Sequence, residues 1–328
     1  MKIFVNIPKG FRDDSFITEA VKERLESVGE IGYNSEKAPL GGEKLKQALK
    51  GYDVVITGWG QPLIKKDDLD TVKLIVHTGG TVGGIVDMEI FDSDITVLSG
   101  NSHYAQSVAE GVIAYMLYAL RKMGKYGAEI KNGGWTWDAH TEGLLDQSVG
   151  VVSLGAISTR LIPMLKLFTD DIRVYSTHYD EEIAKNMGFR YASLDEIFSE
   201  CKIVSVHTAK NDETYHMINK KHFDLLCEGS LFINTSRGPV IDEKALIETL
   251  KTKNITALLD VYDKEPLPQD SELIGLENVI LFPHMAGPTY DRREKITLKL
   301  IDDIVRFEKG EDLLNVVDKE TAIKMTVA

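Results

Sequence analysis

Cysteine is nearly missing from this chain: Cys201 and Cys227 are the only two in 328 residues. That excludes a disulfide framework and a cysteine metal site. Cys201, inside the apolar-leaning CKIVSVH, reads as a buried inert thiol. Long apolar runs are missing as well. The nearest to a membrane span is SVAEGVIAYMLYALRKM (107–123), but Glu110, Arg121 and Lys122 bracket it too closely. A buried helix linking two domains accounts for it better. The start, MKIFVNIPKG, has no signal-peptide pattern. Positive charge is in short supply, 38 Lys and Arg against 51 Asp and Glu, for a net charge of −13. This argues against non-specific nucleic-acid binding and against attraction to anionic membranes. The expected location is the reducing cytoplasm. Solenoid repeats, low-complexity tracts and metal-ligating constellations are all lacking.

What is present is alternation. The length suits two domains of ordinary size. KIFVNI (2–7), DVVITG (53–58) and KLIVHT (73–78) read as buried parallel strands, with helical spacing over 14–28 and 43–50. Residues 1–100 thus form a first α/β unit. A second series opens at Val149, with strands VGVVSL, DIRVYS (171–176), KIVSVH (202–207), SLFINTS (230–236), ITALLDV (255–261) and NVILFPH (278–284). Helical segments between them predict a doubly wound parallel sheet. The amphipathic tail, 289–310, is placed to pack back on the first unit.

The turn after the first strand of the second series, SLGAIS (153–158), stands where G-x-G-x-x-G would mark a dinucleotide site, yet Ser153 and Ser158 replace two glycines. An ordinary βα turn, a lost site and a tolerant site all remain open from these residues. In doubly wound sheets ligands bind beyond the carboxyl ends of the strands. Three strands of the second series run out there toward Arg237, Glu265 and His284. Singly these are ordinary surface or structural residues. Together they offer a forked cation for a carboxylate, a proton donor effective near neutral pH and a carboxylate to orient it.

Five segments make the sequence recognisable: HTGGTVGGIVD (77–87), GNSHYAQSVAE (100–110), NTSRGPVIDEKAL (234–246), LDVYDKEPLPQDSEL (259–273) and NVILFPHMAG (278–287). Over nearly its whole length the chain resembles the D-isomer-specific 2-hydroxyacid dehydrogenases. The resemblance implies two doubly wound domains: a smaller flavodoxin-like substrate domain from 1–100 plus 290–328, and a Rossmann-type dinucleotide-binding domain over 101–289. It implies that Arg237 binds substrate, that Glu265 and His284 form an acid–base pair, and that amides around Gly79 and Gly80 hold the substrate carboxylate. It assigns the cofactor to Ser153, Gly155, Ala156, Ile157, Ser176, Thr177, His207, Thr208, Thr235, Ser236, Asp260, His284 and Gly287. Of these, His207 reads as structural, and an Asp closing a strand, as Asp260 does, is also a common structural feature. A homodimer built through the cofactor domains is a further implication.

Departures from the family pattern bear on the cofactor. Gly155 keeps the approach of phosphate to backbone open, whereas Ser153 is expected to strain the turn. Ala156 stands where many relatives have an arginine, and Pro163 is expected to kink the following helix. Ser176 occupies the place of the usual ribose-binding acid, which removes the charge that repels a 2′-phosphate. The choice between NAD and NADP stays open. The leading reading is an NAD- or NADP-dependent reductase of a small 2-oxo acid, giving the D-2-hydroxy acid. The alternative is a catalytically idle dinucleotide-binding regulator or an interaction protein on the same fold. The set Arg237, Glu265 and His284 favours the enzyme, and the altered glycine turn favours the alternatives.

Overall fold

The computed structural model describes residues 1–10, 15–137 and 139–326. The chain divides into two compact units, Met1–Tyr104 with Pro288–Ala328, and Ala105–Gly287. In the first unit lie β1 (Lys2–Val5), α1 (Glu19–Glu26), β2 (Glu30–Tyr33), α2 (Gly42–Ala48), β3 (Val54–Thr57), β4 (Leu74–His77) and β5 (Thr96–Ser99). Its five strands are parallel, in the order β2-β1-β3-β4-β5. Side chains alternate between the two faces, as strand geometry requires. Ile3, Val5, Ile56 and Val76 enter one apolar cluster, and Phe4, Val55 and Ile75 enter another. That two-sided burial is why these strands read as continuous apolar runs. The helix expected over 14–28 is the shorter α1, capped by Thr18, and residue 14 lies outside the described residues.

α3 (Asn101–Leu120) leaves the first unit and enters the second. It starts six residues before the apolar stretch 107–123 and stops short of its end. Lys122 takes a left-handed φ of 49°, which breaks the helix, and α4 (Met123–Lys131) begins afterwards.

The second unit continues with β6 (Val149–Val152), α5 (Ala156–Leu165), β7 (Ile172–Tyr175), α6 (Glu181–Met187), β8 (Arg190–Tyr191), α7 (Leu194–Glu200), β9 (Ile203–Val206), α8 (Lys220–Leu225), β10 (Leu231–Asn234), α9 (Glu243–Thr252), β11 (Thr256–Leu259) and β12 (Val279–Leu281). The seven strands are parallel, in the order β12-β11-β10-β9-β6-β7-β8. The two-residue β8 has no counterpart among the expected strands, because two residues carry no readable period. α5 runs through Pro163 and ends two residues later, at Leu165. At Gly150 in β6, an added Cβ would lie 2.4 Å from Ile197 of α7, so only glycine allows this close packing. The chain returns to the first unit for α10 (Tyr290–Lys309) and α11 (Lys319–Lys324). Leu300, Ile301 and Ile304 of α10 join the cluster of Ile3 and Val5, so the tail packs on the first sheet.

Candidate active site

Strand register sets the row of residues that matters. Val152, Val206, Asn234 and Leu259 are partners across β6, β9, β10 and β11, and Val152 also pairs with Tyr175 of β7. One residue beyond them, on one edge, come Ser153, Ser176, His207, Thr235 and Asp260. This carboxyl edge is where a doubly wound sheet holds its ligands.

At one end of the row, Ser153 has a φ of 85°, the left-handed region that favours glycine. Its amide donates to the Tyr175 carbonyl at 2.9 Å. Ser158 is fully buried, and its hydroxyl donates to the Ser153 carbonyl at 2.6 Å. Both serines are thus accommodated, one by strain and one by a hydrogen bond. Gly155 caps α5 with no side-chain partner for the first helical amides, and open space lies where its Cβ would be. Ala156 is exposed and Ile157 half-buried on the first turn. A helix start of this kind attracts an anion.

Further along, three buried polar atoms have no partner among the described residues: His207 Nδ1, Thr208 Oγ1 and Thr235 Oγ1. The other ring nitrogen of His207 meets Ser205 Oγ at 2.9 Å, and burial pushes the imidazole down to about 3, so it is neutral. Unpartnered polar atoms in a protein interior are costly. A polar ligand along this edge would satisfy them, and with the open turn at Gly155 they fit a dinucleotide. Ser236 Oγ is engaged with Asn234 at 2.8 Å. Ser176 is buried and accepts from the His178 amide at 3.1 Å, while Thr177 is exposed and contacts the His178 ring at 3.1 Å. Gly287 is half-buried with open space around it.

At the far end His284 and Glu265 meet, Nδ1 to Oε2, at 2.7 Å. Glu265 Oε1 accepts from the Tyr262 amide at 3.1 Å, which holds the carboxylate at both oxygens. Burial raises the Glu265 carboxyl, but the His284 contact, the Tyr262 amide and the Arg237 charge together leave it below the usual range. Ionised, it only accepts hydrogen bonds, so the facing Nδ1 carries a proton and Nε2 is left for chemistry. Arg237 is half-buried; burial disfavours its charge and nearby Glu265 supports it. Its Nη1 donates to the Ser236 carbonyl at 2.6 Å.

His284 itself has a left-handed φ of 52°. Asp260 holds the turn that imposes this, accepting from the amides of Met285 at 2.8 Å and Ala286 at 2.9 Å. Tyr115 of α3, also buried, donates to the same carboxylate at 2.9 Å. Asp260 is therefore a support beneath His284. Tyr115 was invisible to sequence reasoning, lying within a stretch legible only as apolar.

Gly79 and Gly80 belong to the first unit, in the loop after β4. The Gly79 carbonyl accepts from Gly100 N at 3.0 Å and the Gly80 carbonyl from Ser99 Oγ at 3.2 Å. Among the described residues, the amides of Gly79, Gly80 and Thr81 donate to no protein group. Three successive open amides make a ready anion site. No group of three His, Cys, Asp or Glu among the described residues is arranged to hold a metal ion, and none of the described helices is long and apolar enough to cross a membrane.

Known proteins resemble this chain in sequence and fold. The family model described as D-isomer specific 2-hydroxyacid dehydrogenase, NAD binding domain, matches residues 113–286, more than half of the chain. A glyoxylate reductase of Korarchaeum cryptofilum is 28% identical over 317 residues, covering 93% of this chain and 96% of the relative. A glyoxylate/hydroxypyruvate reductase B of Enterobacter sp. (strain 638) is 31% identical over 224 residues, 65% of this chain and 68% of the relative. The solved structure of a D-2-hydroxyisocaproate dehydrogenase has a similar fold, with a TM-score of 0.79 at 24% identity, covering 97% of this chain and 99% of that one. The chain belongs to the D-isomer-specific 2-hydroxyacid dehydrogenases and is an NAD(P)-dependent 2-hydroxyacid oxidoreductase.

Proposed function

We propose that this enzyme reduces a small 2-oxo acid to the corresponding D-2-hydroxy acid. The observation that carries the reading is the 2.7 Å contact between His284 and Glu265, with the Arg237 charge acting on the same carboxylate. A bound nicotinamide cofactor, NAD or NADP, supplies the hydride that goes to the carbonyl carbon. His284 Nε2 gives its proton to the carbonyl oxygen, and Glu265 stabilises the charged ring that precedes the transfer. Arg237 takes the substrate carboxylate and carbonyl oxygen in its fork. The first unit serves as the substrate domain, its open amides at Gly79 and Gly80 holding the carboxylate; the second unit holds the cofactor.

The protein works as a homodimer in the cytoplasm. The dimer draws support from α4, which buries none of its residues, and from the neighbouring Trp135 and Trp137, the latter 90% exposed. Exposed apolar patches of this kind mark association surfaces. Titration with NADH and NADPH, then turnover of a 2-oxo acid panel, tests the activity. Sedimentation tests the dimer. Absence of turnover across the panel overturns the functional reading.

A further inference from the structure

His77 takes no part in the chemistry above, yet it lies directly beneath the proposed carboxylate loop. It closes β4, is 1% exposed, and its Nδ1 is 3.0 Å from Thr57 Oγ1 on the neighbouring strand. That hydrogen bond fixes the ring plane. The opposite edge faces Gly79: an added Cβ there would come within 2.3 Å of His77 Nε2. On the next residue, a Cβ at Gly80 would lie 3.1 Å from the Tyr104 ring. The loop is thus pressed between two rings, with its carbonyls tied down and three amides that donate to no protein group among the described residues.

We propose that His77 is a positioning residue for the substrate carboxylate. Its ring, pinned by Thr57, is the wall against which Gly79 rests, and that contact fixes the backbone that carries the open amides of Gly79, Gly80 and Thr81. Burial pushes the imidazole down to about 4, so at neutral pH it acts by shape and hydrogen bonding and adds no charge. The inference rests on the functional reading given above.

A double-mutant cycle separates this role from a general structural one. His77→Asn keeps a hydrogen-bonding atom near Thr57 and removes the far edge of the ring. The parent, His77→Asn, Gly79→Ala and the double variant are compared by kcat and KM for the 2-oxo acid, by calorimetry with oxamate, and by NADH binding. Gly79→Ala is expected to raise KM and the oxamate Kd roughly tenfold or more in the parent, but only about twofold once the ring is gone. The kcat and NADH affinity should change little. Thr57→Val, which frees the ring without opening space, leaves Nδ1 unpaired and should lower the melting temperature somewhat, but it should also raise KM with kcat and NADH affinity little changed, a split that a merely structural role would not give. A Gly79→Ala cost equal in both backgrounds, in a parent that turns over the panel, overturns the His77 assignment alone. A parent that neither reduces any 2-oxo acid nor binds oxamate overturns the functional reading and this inference with it.

Discussion

The hydroxyl of Ser158 donates to the carbonyl of Ser153 at 2.6 Å, closing the dinucleotide turn with two serines where glycines are usual. The buried serine is satisfied and carries no penalty. The strain falls on Ser153, whose φ of 85° costs a non-glycine residue roughly 1–3 kcal/mol. Ser153→Gly is therefore expected to stabilise the turn and tighten NAD(H) or NADP(H) binding. Ser158→Ala removes the hydrogen bond and is expected to destabilise the protein by about 1 kcal/mol. Calorimetric titration and thermal unfolding check the pair. Unchanged cofactor affinity in Ser153→Gly would show that the strain does not reach the bound state.

If His284 is the proton donor proposed above, His284→Ala should lower turnover by about 10²–10⁴ while NADH affinity stays nearly constant. Glu265→Gln keeps the shape but removes the charge facing Nδ1, 2.7 Å away in the parent. It should lower turnover. Turnover near normal in His284→Ala on the best substrate of the panel defeats the assignment.

Arg237→Lys retains charge but loses the two-pronged geometry. A loss of tenfold or more in kcat/KM is expected, from roughly 1.4 kcal/mol or more of binding in the transition state. Binding of the nucleotide alone should hardly change. Equal efficiency of the lysine variant across the panel would remove Arg237 from the site.

Ser176 is buried at the end of β7 and offers a hydroxyl where an acid would repel a 2′-phosphate. Ser176→Asp is expected to weaken NADPH relative to NADH, read by fluorescence titration of both. A preference that does not move would show that residue 176 does not face the ribose.

Of the buried histidines, His77 and His207 are pushed down furthest, and they set a pH dependence of stability. Burial depresses His77 to about 4 and His207 to about 3, against about 6.5 for an unfolded histidine. Above that unfolded value neither state binds the proton. As the pH falls through it, the unfolded chain takes up protons that the folded chain refuses, so stability declines by about 1.4 kcal/mol per pH unit for each histidine. The decline flattens only near the folded values. Urea denaturation between pH 7 and pH 5 should show a shallower slope in His77→Asn than in the parent. Identical slopes would mean that His77 is charged in the folded protein.

Alternation of short apolar runs with helical spacing was enough to establish two parallel sheets. It was also enough to place Arg237, Glu265 and His284 at strand ends on one edge, because parallel strands joined by helices all end on the same side. Residue type then suggested the chemistry proposed for them. The supports beneath that chemistry were not legible. Tyr115 reaches Asp260 across 145 residues of sequence, and periodicity reports only on neighbours within a few turns. Ser153 and Ser158 were visible as departures, but how each is accommodated depends on a backbone angle and a buried hydrogen bond fixed by packing. His77 read as the end of a strand. Only the folded sheet, which brings Thr57 to one side of its ring and Gly79 to the other, gives it a place under the loop. Local pattern determines which residues lie on the edge; long-range packing decides which of them are held, and by what.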